Sequence, residues 1–187
     1  MAAAPVLIAV WALAGFYASL GPTLILHVAR SSSVLLGSLG LFTLAGVAVV
    51  AGVSLSRQPA DRTMMIGVSA LAAGSALTTV SIAERSTLML FIGAAVAGVG
   101  FGAGLQGSFR TVVPLAMPQD RAGVLSVLWI LAYLGLGVPA VLAGAQVAHG
   151  EGLIVTAERY NIAVIVLAAL ALAALVLQRG RTRQPRG

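Results

Sequence analysis

Apolar residues in this chain neither alternate nor follow a single helical stripe; they run together. Six windows, 6–28, 34–55, 64–82, 88–109, 124–147 and 160–177, are apolar almost throughout. A helix needs about 20 such residues to cross roughly 30 Å of hydrocarbon, and each window approaches that length. Short polar breaks separate them, at 29–33, 57–62, 84–86, 118–121 and 149–159. All five acidic residues, Asp61, Glu84, Asp120, Glu151 and Glu158, fall in these breaks. A charge at mid-membrane costs about 3 kcal/mol even on insertion scales, so this segregation is what spanning helices impose. The pattern predicts an all-α membrane protein with six transmembrane helices: a bundle over 1–178 set in a lipid bilayer, then a basic cytoplasmic tail over 179–187.

Composition sharpens this picture. Of 187 residues, 59% are hydrophobic and only 9% charged, too few charges to clothe a soluble surface. Twenty-two glycines suit membrane helices, whose backbones approach closely across small residues. Cysteine is absent, which excludes disulfide scaffolds, thiolate metal sites and cysteine nucleophiles. Every basic residue is an arginine, placed singly at the ends of apolar runs apart from one cluster in the tail. That distribution fits a membrane and not a nucleic-acid groove.

The arginines also set an expected orientation. With a cytoplasmic N-terminus, Arg57, Arg62, Arg110, Arg121, Arg179, Arg181, Arg183 and Arg186 lie inside, against Arg30, Arg85 and Arg159 outside. The positive-inside rule favours this arrangement, a multi-pass protein of the cell membrane with both termini cytoplasmic. One detail opposes it: no positive side chain precedes the first span, while Arg30 follows it. A cytoplasmic segment upstream of Met1 would remove the conflict. The opening residues lack the basic region of a signal peptide, so the first window reads as a span.

Catalytic chemistry finds little to work with. The two histidines, His27 and His149, sit at membrane edges, and no Gly-x-Ser-x-Gly or phosphate-cradling Gly-x-x-x-x-Gly-Lys sequence occurs. His149 with Glu151 offers at most two metal ligands, and nothing nearby supplies a third. No enzyme activity, metal or cofactor is expected.

Helix-breaking and small residues are more informative. Gly21-Pro22 lies in the outer third of the first span, and Pro139 lies inside the fifth, after Gly135 and Gly137. Proline removes a backbone hydrogen bond, and carriers bend or line cavities at such points. The fourth span carries Gly98, Gly100, Gly102 and Gly104, two overlapping Gly-x-x-x-Gly pairs, expected to bare one helix face for a neighbour. That face leads towards Gln106 and Arg110, four residues apart. Arg110 is the deepest charge in the chain, free to snorkel to the interface or to touch substrate. Gln106 has no such escape, and its amide needs a helix or a ligand as partner. Tyr17, Ser19 and Thr23 on the first span, with Trp129 and Tyr133 on the fifth, would complete an amphipathic wall. The sixth span, only Ala, Val, Leu and Ile from Ile162 to Leu177, can pack and face lipid but cannot bind a polar substrate.

Three stretches carry a resemblance: 15–22 in the first span; Ala60-Asp61-Arg62 after the second; and 121–126 followed by 133–144 in the fifth. Together they resemble the C-terminal half of a drug-efflux-like major facilitator superfamily (MFS) transporter, spans seven to twelve, over nearly the whole chain. Asp61-Arg62 is similar to the Asp-Arg core of that family's cytoplasmic loop signature, without its flanking glycines and trailing basic residues.

The resemblance implies half of a twelve-helix carrier. Spans one, two, four and five would line the cavity, three and six would lie outside, and Asp61 and Arg62 would brace helix ends. Its partners would be a missing N-terminal six-helix half, a second copy or another subunit, and a small-molecule substrate. With no acidic residue inside a span, a neutral or apolar organic compound, exported by alternating access, is the expected cargo. The competing expectation is the six-helix substrate-binding subunit of an energy-coupling-factor-type importer, distinguished by tight binding of a vitamin. A membrane-embedded assembly protein is a third.

Overall fold

A computed structural model describes residues 3–182, and among them the chain is helix and turn without strand. Seven helices form: α1 (Ala3–Ser19), α2 (Gly21–Ala29), α3 (Val34–Ser54), α4 (Ala60–Ala83), α5 (Thr87–Val112), α6 (Arg121–Ala148) and α7 (Leu153–Thr182). Two short 3-10 turns, Val113–Leu115 and Pro118–Asp120, link α5 to α6. Five helices, α3 to α7, are long and apolar enough to cross a membrane, and α1 with α2 makes a sixth span bent by 54°. The bend falls at Leu20, with Pro22 in the first turn of α2, where its missing N–H is one of the donors a helix start leaves free anyway. At Pro139, by contrast, α6 continues as one helix.

Two boundaries differ from the sequence pattern. The last helix begins at Leu153, inside the break expected over 149–159, because Glu158 and Arg159 are carried on its polar first turns. It also runs on to Thr182, into the segment expected as tail; the remaining tail residues, Arg183 and Arg186 included, lie outside the described residues.

Around an apolar core, burial departs from that of a soluble protein. Large apolar side chains such as Val34, Phe42, Val49, Leu115, Val141 and Leu170 are exposed, while Thr63, Ser75, Thr78, Ser81, Ser108, Thr156 and Asn161 are buried. So much exposed hydrocarbon is unusual on a water-soluble surface and is compatible with helices that cross a membrane.

Helix α1 is the axis of the bundle: Leu7, Val10, Leu13, Phe16 and Tyr17 are buried, and it packs on α4, α5, α6 and α7. Around it, α5 meets α3 and α4 across its glycines. A Cβ on Gly98 would stand 2.6 Å from the Leu44 carbonyl oxygen, and one on Gly102 would overlap Ala48. A Cβ on Gly100 would stand 2.6 Å from the Leu71 nitrogen of α4, and one on Gly104 2.6 Å from Val10 of α1. The four glycines therefore bare two opposed faces, not the single face expected, because a two-residue step turns a helix by about 200°. Thus α5 sits directly against three neighbours, closer than any side chain would allow.

The pairing has an internal order. Apart from α2–α3, the most extensive contacts are α4–α5, α3–α5, α1–α6, α4–α7, α1–α5 and α1–α7. Exchange the first three spans with the last three, and this set maps onto itself. The register of Gly67 with Gly104 and Gly74 with Ala97 makes α4 and α5 antiparallel, while Leu44 with Gly98 and Ala48 with Gly102 makes α3 and α5 parallel. The chain reverses at each turn, so this subset pairs in inverted order, although the α2–α3 contact within the first triplet has no comparable α5–α6 counterpart.

Candidate functional site

An open groove of about 670 Å³ lies between α3, α5 and α6. Small residues of α3, Ala45, Ala48 and Gly52, and Ser56 in the turn after it form one wall together with Val49 and Val53. Opposite stand Phe101, Leu105, Gln106 and Phe109 of α5 and Trp129 of α6. Phe101, Leu105 and Phe109 recur every four residues, which keeps them on one side of α5.

Phe101, Phe109 and Trp129 are the aromatic rings of the groove, and Trp11 and Tyr133 pack against them. Trp129 lies 5.9 Å from Phe109, 6.0 Å from Tyr133 and 5.8 Å from Trp11 of α1, and Trp11 in turn lies 5.5 Å from Phe101. Most of these contacts are edge-to-face, the arrangement that the ring quadrupole favours, at about 0.5–1.5 kcal/mol each. Both Trp129 and Tyr133 keep much of their surface exposed. Aromatic faces are therefore presented without being consumed by the core.

Two polar atoms in this region have no partner. The Gln106 side-chain oxygen and the Trp11 indole nitrogen are both buried without a hydrogen bond. A buried polar group left unpaired costs about 1–3 kcal/mol. Gln106 and Trp11 both lie beside rings and small apolar residues. No carboxylate lines the groove, so it offers a cation only π faces and no countercharge.

The other residues singled out in the sequence are placed elsewhere. Tyr17 is buried inside the bundle, its hydroxyl 2.8 Å from Thr78 Oγ1. Ser19 is exposed and turns back to donate to the Gly15 carbonyl at 2.7 Å, and Thr23 is exposed on α2. Arg110 is exposed, and its guanidinium donates to the Gln58 carbonyl oxygen at 2.9 Å, tying the end of α5 to the turn between α3 and α4. Arg62 donates to the Gln58 side chain at 3.4 Å, and Asp61 lies in the first turn of α4, where the helix dipole favours a carboxylate. His149 rests its ring on the Ala145 carbonyl, and Glu151 pairs with Arg159.

Of the α6 glycines, Gly135 packs on α1, where an added Cβ would lie 3.1 Å from the Ile8 carbonyl oxygen, whereas Gly137 faces open space. The structure thus brings Gln106, Trp129 and Tyr133 together and adds Trp11, Phe101 and Phe109, which sequence reasoning passed over. The four-residue spacing of Phe101, Leu105 and Phe109 was a readable signal for the last two.

Comparison with protein families, with curated proteins and with solved structures finds no match to this chain.

Proposed function

We propose that this chain is one six-helix half of a secondary transporter for small, largely neutral aromatic compounds, with the α3–α5–α6 groove as its part of the substrate path. The observation that carries the reading is the groove itself: the partly exposed ring of Trp129, with Tyr133 packed against it, on an open bundle face whose wall includes Gln106, its side-chain oxygen buried and unpartnered. Lipid offers a Gln amide nothing, whereas a bound ligand or an opposing bundle offers both a partner and a lid. The partly inverted order of helix pairing adds support, since carriers that alternate access are commonly built from inverted repeats around a midplane site. Bare glycine contacts of α5 with α3 and α4 supply close-packed units able to rock as bodies. Export is the direction we propose, with the termini on the cytoplasmic side.

Tryptophan fluorescence tests the reading directly, because Trp129 lines the groove and Trp11, the other tryptophan of the chain, packs against it. With the protein in lipid nanodiscs, neutral aromatic dyes should quench emission saturably at micromolar concentration. Purified chain alone in vesicles should not move them. Linear, unsaturable quenching would reduce the effect to partition into lipid and defeat the proposal. Tight capture of a single water-soluble vitamin would replace it with the importer-subunit reading.

A further inference from the structure

A second cavity, of about 850 Å³, opens at the bundle end that carries the α2–α3 and α4–α5 turns. Its lining differs in kind from the aromatic groove: His27, Arg30, Ser31 and Ser32 from the end of α2, Arg85 after α4, and Glu158 from α7. Both arginines hold a left-handed backbone, φ 49° at Arg30 and φ 51° at Arg85, the conformation that helix ends normally give to glycine. A non-glycine residue there costs about 1 kcal/mol, and this chain bears that cost twice at the mouth of one cavity. The guanidiniums of Arg30 and Arg85 and the carboxylate of Glu158 make no hydrogen bond or ion pair with any described residue. Arg159, the neighbour of Glu158, is already engaged by Glu151.

Two unpaired cations and one unpaired anion thus line a single cavity at the level where helices end and lipid headgroups lie. Simple capping of helix C-termini would account for the arginines but not for Glu158, which enters from a third helix and leaves the charges of opposite sign unjoined.

We propose that this cavity binds the phosphoethanolamine headgroup of a phospholipid, the phosphate between Arg30 and Arg85 and the ammonium on Glu158. Guanidinium suits phosphate because its forked donors match two phosphate oxygens. A carboxylate suits a primary ammonium, which can donate three hydrogen bonds. The site lies at helix ends and is independent of the aromatic groove, so it stands or fails separately from the transport reading.

The test is native mass spectrometry of the full chain released from vesicles of equal phosphatidylethanolamine and phosphatidylglycerol. The wild type should retain phosphatidylethanolamine preferentially. Arg30→Asn with Arg85→Asn, chosen because asparagine tolerates a left-handed backbone, should lower retention of both lipids about tenfold. Glu158→Gln should keep the phosphate contact and lose the preference, retaining both lipids equally. Equal retention of the two lipids by the wild type, or unchanged retention in the double variant, would overturn the proposal. Displacement of the lipid by millimolar free phosphoethanolamine but not by inorganic phosphate would confirm the headgroup chemistry. Equal displacement by inorganic phosphate would show a plain anion site and remove the role of Glu158.

Discussion

Trp11 and Trp129 pack edge-to-face with ring centroids 5.8 Å apart, joining α1, the buried axis of the bundle, to α6, one of its most exposed helices. Through Phe101 and Phe109 the same pair reaches α5, so the ring cluster at the groove is also the joint between three helices. Packing and ligand contact are therefore hard to separate at Trp11 and easy to separate at Trp129, whose ring is partly exposed. Trp129→Phe should keep ligand affinity close to wild type, and Trp129→Ala should weaken it by about three- to tenfold, the worth of one aromatic contact. Quenching of the remaining Trp11 by a neutral dye measures both.

The glycines of α5 predict a stability contrast. Gly102→Val would drive a side chain into Ala48 of α3 and should destabilise the bundle by about 1–3 kcal/mol or prevent its assembly. Gly46→Val on α3 meets nothing within 4 Å and should leave the melting temperature nearly unchanged. Thermal unfolding in detergent, followed by loss of monodisperse protein, compares them; equal melting temperatures would refute the close-contact role.

Tyr17 and Thr78 give a smaller, directional effect. Thr78 Oγ1 donates to the Gly74 carbonyl at 2.9 Å, which leaves its lone pairs to accept from the Tyr17 hydroxyl at 2.8 Å. Tyr17→Phe removes only the second bond and should cost about 0.6 kcal/mol, the average for interhelical bonds in membranes. Dye binding at the groove should not change, because this pair faces the bundle interior. A lowered dye affinity with unchanged stability would place Tyr17 in the substrate path after all.

Arg110 predicts a local effect. Its bond to the Gln58 carbonyl fixes the turn between α3 and α4 from the end of α5. Arg110→Ala should speed amide hydrogen exchange over residues 55–59 by about two- to fivefold, matching a surface contact, without moving the protection of helix interiors. Unaltered exchange in the turn would show that the contact carries no weight.

Much of the fold was legible because the pattern of helices able to cross a membrane is one-dimensional. Each helix must meet its backbone hydrogen bonds internally, and each span must be apolar for about 20 residues, so run length and charge placement alone mark the helices. Gln106 was legible for a related reason, as an amide with no route to water. The aromatic partnership of Trp11 with Trp129 was not legible, because the residues are far apart in sequence and which face of α1 meets α6 is decided by packing.

What the sequence by itself determined is the set of long apolar helices, the polar turns between them and the proline at the bend of the first span. Tertiary structure alone decided that Tyr17 faces Thr78 while Trp11 packs on the groove's rings, that the α5 glycines serve two faces, and that Arg30, Arg85 and Glu158 share one cavity. The physical reason is the uniformity of the spans. A helix apolar on every side carries no amphipathic signal to fix its rotation. Its facing is set by where glycine lets backbones touch and where a buried hydroxyl finds its acceptor.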